Sequence, residues 1–245
     1  MFKRLDQTYS YNQQMVMNVL QDEPNPLNRI SKIIPDGSKV LDIGAGAGLL
    51  AHVLHAEHKN LIIDGIEPNQ RAAQLAWDSK RYRKFHIGFA QDVIHEIAQE
   101  EYDFIVLADV IEHIDDPLLF LTELLKGISL KTKIIISVPN IAFGAIRIAL
   151  LHGNFEYVDS GILEQTHLRF FTLQTLQQLI HNLDMTIEKL YFLQRDINKS
   201  EINIKKYNLH PAFISQLLQD PLASTYQFLT MLTKEKVETE TRYFQ

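Results

Sequence analysis

A short glycine-rich stretch carries the first residues whose types and spacing could do chemistry. Gly44, Gly46 and Gly48 alternate with small residues, and they follow an apolar run that contains Asp42. Glycines let the backbone turn sharply and let a ligand lie directly against it. The dinucleotide-binding pattern would place its third glycine at position 49, where this chain has Leu49. A carboxylate at Asp42 would repel a pyrophosphate, so the pattern favours a cationic ligand such as a sulfonium or an amino group.

Two further acids follow at intervals that suit the rest of a nucleoside. Glu67 follows the apolar run 61–66, and its two oxygens could accept both hydroxyls of a ribose. The alternative is an acid at a helix entry, where the helix dipole favours it. Asp92 could accept from the exocyclic amine of an adenine, while the amide of Val93 donates to a ring nitrogen. The alternative for Asp92 is an ordinary helix N-cap.

A third polar group follows the next apolar run. Asp109, Glu112 and His113 precede the pair 116–117, an Asp-Pro sequence that predicts an N-cap and a first helical turn. The three upstream side chains could contact a ligand, brace the loop or act in catalysis. We do not expect His113 to bind zinc, because its neighbours in the sequence offer carboxylates only.

The polar, aromatic segment 152–172 supplies the candidate general base. His167 is the first choice, since histidine titrates nearest to neutral pH and can take a proton from an acceptor hydroxyl. Arg169 could orient the acceptor or its phosphate, and Tyr157 could contribute a substrate contact. His113 is the second choice for the base. The alternative is that His167 only fastens the loop.

Alternating strand-like and helix-like segments must position these residues. The apolar runs predict strands at 38–43, 61–66, 84–88, 103–108 and 132–138, and the segments between them predict helices near 47–57, 69–78, 93–99 and 117–127. Such alternation is typical of right-handed βαβ units in a doubly wound parallel sheet. Ligands of these sheets bind at the carboxyl ends of the strands, which is where the polar residues fall.

Composition excludes several classes of protein. The 245-residue chain is 46% hydrophobic and has a formal charge of -6, which argues against a nucleic-acid protein that relies on phosphate neutralisation. It contains no cysteine, so disulfides and thiolate zinc sites are excluded. The apolar segment 134–146 is too short to span a bilayer.

Four motifs occur in order and at the spacing of a known family. VLDIGAGAG, GIEPN, AQDV and DVIEHIDDP together resemble a class I S-adenosylmethionine-dependent methyltransferase, over about residues 38–140. The resemblance implies S-adenosylmethionine as cofactor, with the three glycines at its methionine end, Glu67 on the ribose, and Asp92 and Val93 at the adenine. Ala45 stands where many members have cysteine. The expected cofactor-binding residues are Asp42, Gly44, Ala45, Gly46, Gly48, Glu67, Pro68, Asp92, Val93 and Asp109.

The downstream half bears on the acceptor. GNFEYVDSGILEQTHLRFFT and ASTYQF resemble methyltransferases found with glycosyltransferases in surface-polysaccharide biosynthesis, and the chain more distantly resembles ubiquinone-pathway O-methyltransferases. The resemblance implies O-methylation of a saccharide or of a nucleotide- or lipid-linked sugar. One alternative is an O-methyltransferase of a quinone or other phenol. The other is a catalytically silent binding protein with the same fold.

The family topology implies an α/β, Rossmann-like sheet of seven strands. The sixth strand is expected at 185–193, and the seventh at 226–234, antiparallel between the fifth and sixth. We expect a single domain over 1–245. Its parts are an N-terminal helical cap (1–35), a cofactor-binding core (38–140), a substrate cap (141–172) and an insertion before the last strand (195–222), followed by a charged, mobile tail (235–245).

The remaining expectations concern metal, location and partners. Asp109 and Asn140 fall where some family members hold magnesium, but Pro139 replaces another carboxylate, so we expect no metal. The lack of a signal-peptide pattern fits a cytoplasmic enzyme with a small-molecule substrate. Peripheral membrane contact and the oligomeric state are left open. Tyr9 and Tyr11 are candidate lids over the glycine loop.

Overall fold

Eight strands form one mixed sheet at the centre of the computed structural model, which describes residues 12–57 and 60–245. In chain order they are β1 (Lys39–Ile43), β2 (Ile62–Glu67), β3 (Lys84–Ile87), β4 (Phe104–Ala108), β5 (Lys133–Pro139), β6 (Thr186–Gln194), β7 (Thr225–Thr233) and β8 (Glu240–Phe244). The central ones are continuous apolar runs, as expected of strands buried on both faces.

The spatial order of the strands is β3-β2-β1-β4-β5-β7-β6-β8. The first five in sequence are parallel, and β7 inserts antiparallel between β5 and β6. The predicted doubly wound sheet with an antiparallel seventh strand is therefore confirmed. The order reverses at β1, so the clefts beside the ends of β1 and β4 form the switch point where such sheets bind ligands.

Ten α-helices connect or cover these strands in the described part of the chain. They are α1 (Gln13–Gln21), α2 (Pro26–Ile33), α3 (Leu49–Glu57), α4 (Gln70–Asp78), α5 (Ile94–Gln99), α6 (Pro117–Gly127), α7 (Gly144–Leu151), α8 (Leu173–Asn182), α9 (Pro211–Leu217) and α10 (Pro221–Ser224). No described helix is long and apolar enough to cross a membrane.

The helices cover both faces of the sheet. One apolar cluster joins α2, α3 and α4 to one face, and the other joins α5, α6 and α8 to the opposite face. Neighbouring residues of a strand alternate between the two clusters: Val40 belongs to the first and Leu41 to the second. Full burial of both side chains fixes the register of β1, because a slip by one residue would exchange the two faces.

Two helices that help to place the site begin at the caps predicted from sequence. The side chain of Asp116 accepts a hydrogen bond of 2.9 Å from the amide of Leu119 at the start of α6. The hydroxyl of Thr172 accepts one of 3.2 Å from the amide of Thr175 at the start of α8. Each cap satisfies an otherwise unpaired amide and fixes where the preceding loop ends.

A smaller apolar core lies outside the sheet. It joins α7 to the segments around residues 162 and 204, and Phe143, Ile148, Ile162, Ile197 and Ile204 are all buried in it. The predicted substrate cap and the predicted insertion therefore share one core.

The tail is the main departure from the predicted topology. The expected mobile segment 235–245 includes an eighth strand, β8, which pairs parallel with β6. The strand is anchored by apolar contacts: Phe244 packs against Tyr191, and the rings of Tyr243 and Phe192 stack with centroids 4.4 Å apart. The strand was not predicted because most residues of this segment are charged or polar. The candidate lids Tyr9 and Tyr11 lie outside the described residues.

Candidate functional site

The glycine loop is held by the end of the neighbouring strand. The amides of Gly44 and Ala45 both donate to the carbonyl of Ile66, at 2.9 and 3.0 Å. The amide of Gly46 donates to Oε2 of Glu67 at 2.8 Å, and the amide of Asn69 donates to Oε1 at 2.7 Å. The loop after β1 is therefore fixed before any ligand binds.

The carboxylate of Glu67 lies beside this glycine loop and can accept further hydrogen bonds. Its side chain is buried, and burial raises the pKa of the carboxyl, while the bonds from Asn69 and Gly46 oppose the rise. A carboxylate offers about four lone-pair sites, and the two backbone amides occupy one on each oxygen. Each oxygen can accept one more donor, which is what a pair of ribose hydroxyls would require.

Gly44 brings the glycine loop into contact with the loop after β4. Its φ is +75°, and a Cβ atom at this position would lie 2.6 Å from Cγ2 of Val110. A side chain here would therefore collide with Val110, in addition to the strain of the left-handed backbone. The close approach places Val110, and with it the Asp109–His113 segment, directly against the glycine loop.

Asp42 lies in the interior behind the glycine loop. Its Oδ2 accepts a hydrogen bond of 2.8 Å from the hydroxyl of Tyr82, whose ring also lines the space beside Gly48. Burial raises the pKa of Asp42 to about 7, the bond from Tyr82 opposes the rise, and the charge of Glu67 adds to it. The residue was expected to attract a cationic ligand; instead its carboxyl is paired and 2% of its surface is exposed.

The adenine end predicted from sequence lies beside Glu67. The amide of Gly88 donates to the carbonyl of Glu67 at 3.1 Å, and Oδ2 of Asp92 accepts from the amide of Phe89 at 3.2 Å. Asp92 is exposed, whereas Val93 is buried and Pro68 is partly buried. Asp92 thus accepts a hydrogen bond at the start of the following helical turn, and its carboxylate is still exposed to solvent.

Sequence reasoning missed Phe89. Its ring is 51% exposed at the ligand-binding edge of the sheet, next to Asp92. A large exposed aromatic beside a polar group is the type of surface on which a flat heterocycle can stack. The available signal was its position, an aromatic residue in the turn between a strand end and the AQDV motif.

Asp109, the residue that follows β4, has an unusual backbone conformation. Its φ is +57°, which costs a non-glycine residue energy and is characteristic of functional sites. Its Oδ1 accepts from the hydroxyl of Ser137 at 2.9 Å and from the side-chain amide of Gln227. Burial raises the pKa of its carboxyl, yet the residue is exposed to solvent. Asp109 therefore lies deep in the protein, on the wall of a cleft that is open to solvent.

The two predicted catalytic histidines lie together. The carbonyl of Glu112 accepts hydrogen bonds from the amides of Leu168 and Arg169, at 2.8 and 3.0 Å, and this joins the loop after β4 to the segment before α8. As a result, the rings of His113 and His167 meet edge to face with centroids 4.8 Å apart. One ligand atom from each of Glu112, His113 and His167 lies within 4.8 Å of the other two.

Each histidine ring is oriented by a hydrogen-bond partner in the segment before α8. Nδ1 of His167 donates to the carbonyl of Ile162 at 2.9 Å. Nδ1 of His113 lies 3.2 Å from the carbonyl of Thr166 and 3.0 Å from its hydroxyl. For His167 the bond to a carbonyl fixes the tautomer, so Nε2 carries the lone pair.

Glu112 is the most deeply buried acid of this cluster. Its side chain is 1% exposed, and neither oxygen has a hydrogen-bond partner among the described residues. Burial raises its pKa well above the ordinary value, and the nearby charge of Asp109 raises it further. Sequence reasoning grouped Glu112 with the loop and did not separate it as a special residue, since nothing local in the sequence reports burial.

The two predicted substrate contacts lie at the surface. The guanidinium of Arg169 pairs with Asp115 at 3.0 Å, and Tyr157 is 58% exposed with its ring edge to face against Phe155. Phe155 also meets Phe170 edge to face, with centroids 5.8 Å apart. Arg169 is therefore engaged with Asp115, and Tyr157 belongs to an aromatic group that continues toward His167 through Phe170.

A family model described as a methyltransferase domain matches residues 20–190. Among curated proteins, the chain is 27% identical over 167 residues to a ubiquinone biosynthesis O-methyltransferase of Rickettsia akari (strain Hartford), covering 66% of this chain and 64% of that protein. It is 28% identical over 156 residues to the protein of the same description in Rickettsia bellii (strain OSU 85-389), covering 62% and 63%. The chain thus spans just under two thirds of the length of these relatives.

Solved structures have the same fold at lower identity. A SAM-dependent methyltransferase from Archaeoglobus fulgidus superposes with a TM-score of 0.60 at 18% identity, covering 86% of this chain and 92% of that one. Magnesium protoporphyrin IX methyltransferase from Synechocystis PCC 6803 gives a TM-score of 0.56 at 11% identity, covering 95% and 92%. These likenesses confirm the predicted fold class. Because the family model covers well over half of the sequence, the chain belongs to the methyltransferase-domain family, as its four strand-end motifs predicted.

Proposed function

We propose that this chain transfers the methyl group of S-adenosylmethionine to an oxygen of a small-molecule acceptor. The observation that carries the proposal is the contact between Gly44 and Val110, because it joins the glycine loop to the segment of His113, whose ring packs against His167. A cofactor held by the first and an acceptor held by the second would be neighbours. Placing the two reactants side by side supplies much of the acceleration of a displacement at carbon.

The residues present fit S-adenosylmethionine. Glu67 has one acceptor position left on each oxygen for the ribose hydroxyls, and Asp92 and the ring of Phe89 offer a hydrogen-bond acceptor and a flat apolar surface for the adenine. Asp109, on the wall of the cleft, suits the amino group of the methionine moiety. The two solved relatives are a SAM-dependent methyltransferase and a methyltransferase with bound SAH. When bound, the cofactor supplies a methyl carbon that its sulfonium already activates.

His167 is the proposed general base. Its Nδ1 donates to the carbonyl of Ile162, so the lone pair on Nε2 can take the proton of an acceptor hydroxyl. As the new oxygen–carbon bond forms, the carbon–sulfur bond breaks, and the proton remains on the imidazole until solvent removes it. His113 lies against His167 and is the second candidate for this role.

The proposed acceptor is a saccharide hydroxyl, on the sequence likeness of the segment from Gly153 to Thr172. A phenol is the second candidate, because the curated relatives are described as ubiquinone biosynthesis O-methyltransferases. The aromatic group of Phe155, Tyr157 and Phe170 suits either one, since sugars and phenols both bind against ring faces. The two classes differ in how acidic their hydroxyl is, so a pH profile with each acceptor would also separate them.

A direct test uses S-adenosylmethionine with a labelled methyl group. The purified protein is incubated with a panel of nucleotide sugars, free sugars and catechols, and label in the acceptor is measured. Transfer to one class identifies it. Cofactor binding by calorimetry without transfer to any member would favour the silent binding protein, and absence of cofactor binding would refute the proposal.

A further inference from the structure

Glu112 is a buried acid to which the proposed methyl transfer gives no role. Its carboxylate is 1% exposed, and both oxygens lack a hydrogen-bond partner among the described residues. Buried carboxylates are normally hydrogen-bonded, paired with a cation or bound to a metal, because an isolated one is costly. The two oxygens therefore point to a ligand that the described residues do not supply.

The adjacent histidines are oriented as metal ligands are. A metal-ligating histidine almost always donates its other ring N–H to a carbonyl or carboxylate, which fixes the ring and strengthens it as a ligand. His167 makes this contact through Nδ1 to Ile162, and Nδ1 of His113 contacts the carbonyl and hydroxyl of Thr166. Thr166 in turn donates to Glu164. These contacts are of the kind that orients histidine ligands around a metal.

We propose that Glu112, His113 and His167 bind a first-row transition-metal dication at the acceptor end of the cleft. The three residues come from two segments that the amides of Leu168 and Arg169 hold together on the carbonyl of Glu112. Their ligand atoms lie within 4.8 Å of one another, close enough for one ion to reach all three. The proposal deepens the proposed function and rests on it for the role of the ion, although not for its binding.

The ligand types select the kind of ion. Two imidazoles and one carboxylate suit zinc, manganese or iron, whereas magnesium prefers oxygen ligands throughout. Three protein ligands leave at least one position open, as in catalytic metal sites.

The sequence alone predicts no zinc at His113, because the neighbours of His113 along the chain offer carboxylates and no second nitrogen ligand. The fold supplies the missing ligand from His167, in a segment that follows β5 and α7. The sequence predicts no magnesium site at Asp109 and Asn140. In the structure Asn140 is fully buried, and its side-chain amide donates to the carbonyls of Leu222 and Thr225.

A bound ion would change the role of His167. Its Nε2 would be a ligand and not a base, and the acceptor oxygen would occupy the open position. A coordinated hydroxyl ionises far more readily than a free one, so its proton passes to solvent before the oxygen attacks. The bonds formed and broken are those of the proposed reaction, and no oxidation is involved.

The experiment measures metal binding apart from catalysis. Full-length protein is stripped with chelator and titrated with Zn²⁺, Mn²⁺ and Mg²⁺ in the calorimeter, without cofactor or acceptor. We expect stoichiometric binding of Zn²⁺ or Mn²⁺ and much weaker binding of Mg²⁺. Glu112→Gln and His167→Asn should each weaken binding at least about 100-fold, the upper end of what outer-sphere changes cost.

Matched controls keep the result interpretable. Glu123→Gln alters a partly exposed acid of α6 that pairs with Lys126, and His181→Asn alters an exposed histidine of α8. Both variants should bind metal as the wild type does. Thr166→Val removes an outer contact of His113 and should weaken binding about 10- to 100-fold. Metal affinity that is equal in wild type and Glu112→Gln would overturn the proposal, as would the absence of Zn²⁺ and Mn²⁺ binding by the folded wild type.

A second measurement separates this proposal from the proposed function. Each stripped protein is titrated with S-adenosylhomocysteine. Cofactor binding without metal binding would remove the metal site and leave His167 as the base. Metal binding without cofactor binding would preserve the site and refute methyl transfer. If Glu112→Gln fails to fold, as judged by circular dichroism, His167→Asn and Thr166→Val still decide the matter.

Discussion

The amide of Gly46 donates a hydrogen bond of 2.8 Å to Oε2 of Glu67, so the last residue of β2 fixes the loop that follows β1. The other oxygen, Oε1, accepts from Asn69, which itself caps α4 through the amide of Ala72. One carboxylate therefore sets two of the loops that face the cleft. The carboxylate of Glu67 is therefore already in position to accept hydrogen bonds from the hydroxyls of a bound ribose.

The first prediction is that Glu67→Ala loses most of its affinity for S-adenosylmethionine. Two charge-assisted hydrogen bonds to the ribose would vanish together, at about 1.5–3 kcal/mol each. Glu67→Gln should lose less, because one acceptor oxygen remains. Calorimetric titration measures the change, and Glu123→Ala on the surface of α6 is the control. Unchanged affinity in Glu67→Ala would remove the residue from the site.

The second prediction concerns Phe89. Replacing it with Ala should weaken cofactor binding by about 1–3 kcal/mol, the range found when an aromatic that stacks on a base is removed. Folding should be unaffected, because the ring is 51% exposed. Leu130→Ala, at an even more exposed apolar residue, should not alter binding. Equal affinity of Phe89→Ala and wild type would show that adenine does not stack there.

The third prediction is a dependence of stability on pH caused by Asp42. Its pKa is about 7 in the folded protein and about 3.8 in the unfolded chain. Between these values the folded state keeps a proton that the unfolded chain has released, so stability falls as pH rises. At 1.36 kcal/mol per unit, the loss by pH 8 amounts to about 4 kcal/mol.

Urea unfolding of the ligand-free protein at pH 5 and pH 8 tests this dependence. Asp42→Asn should flatten the difference, because the amide does not ionise. Tyr82→Phe removes the hydroxyl that stabilises the carboxylate and should steepen it. Glu123→Gln should behave as the wild type. Identical slopes in wild type and Asp42→Asn would place the dependence on other acids.

The sheet and the loops at its edge could be predicted because their signals are local. Continuous apolar runs gave the strands, and Asp116 and Thr172 marked the helix starts that the structure has. Asp42 was placed correctly at the end of the first strand, but its pairing in the interior was not predicted, since its partner Tyr82 is distant in the sequence. The Glu112, His113 and His167 cluster escaped prediction for the same reason: their proximity depends on hydrogen bonds between two segments that packing brings together.

The last prediction concerns His167. Its replacement with Ala should lower turnover about 10²- to 10⁴-fold, the usual contribution of general acid–base catalysis, and leave cofactor binding intact. Cofactor binding should survive because the contacts proposed for the cofactor come from β1, β2 and the loops after β3 and β4. Turnover near the wild-type level, or a joint collapse of folding and cofactor binding, would show that the residue is not the base. His113→Ala should then be measured.

Both roles of His167 predict low turnover of the His167→Ala variant. Turnover of the wild type in chelator distinguishes the two roles. If the imidazole is the base, wild-type turnover persists in chelator. If the imidazole is a ligand, chelator abolishes turnover and added Zn²⁺ or Mn²⁺ restores it. Restoration should fail in Glu112→Gln, whose side chain retains the shape of glutamate but not its charge, and succeed in His181→Asn. Only a bound ion accounts for that pair of results, since Glu112 is too deeply buried to meet the acceptor itself.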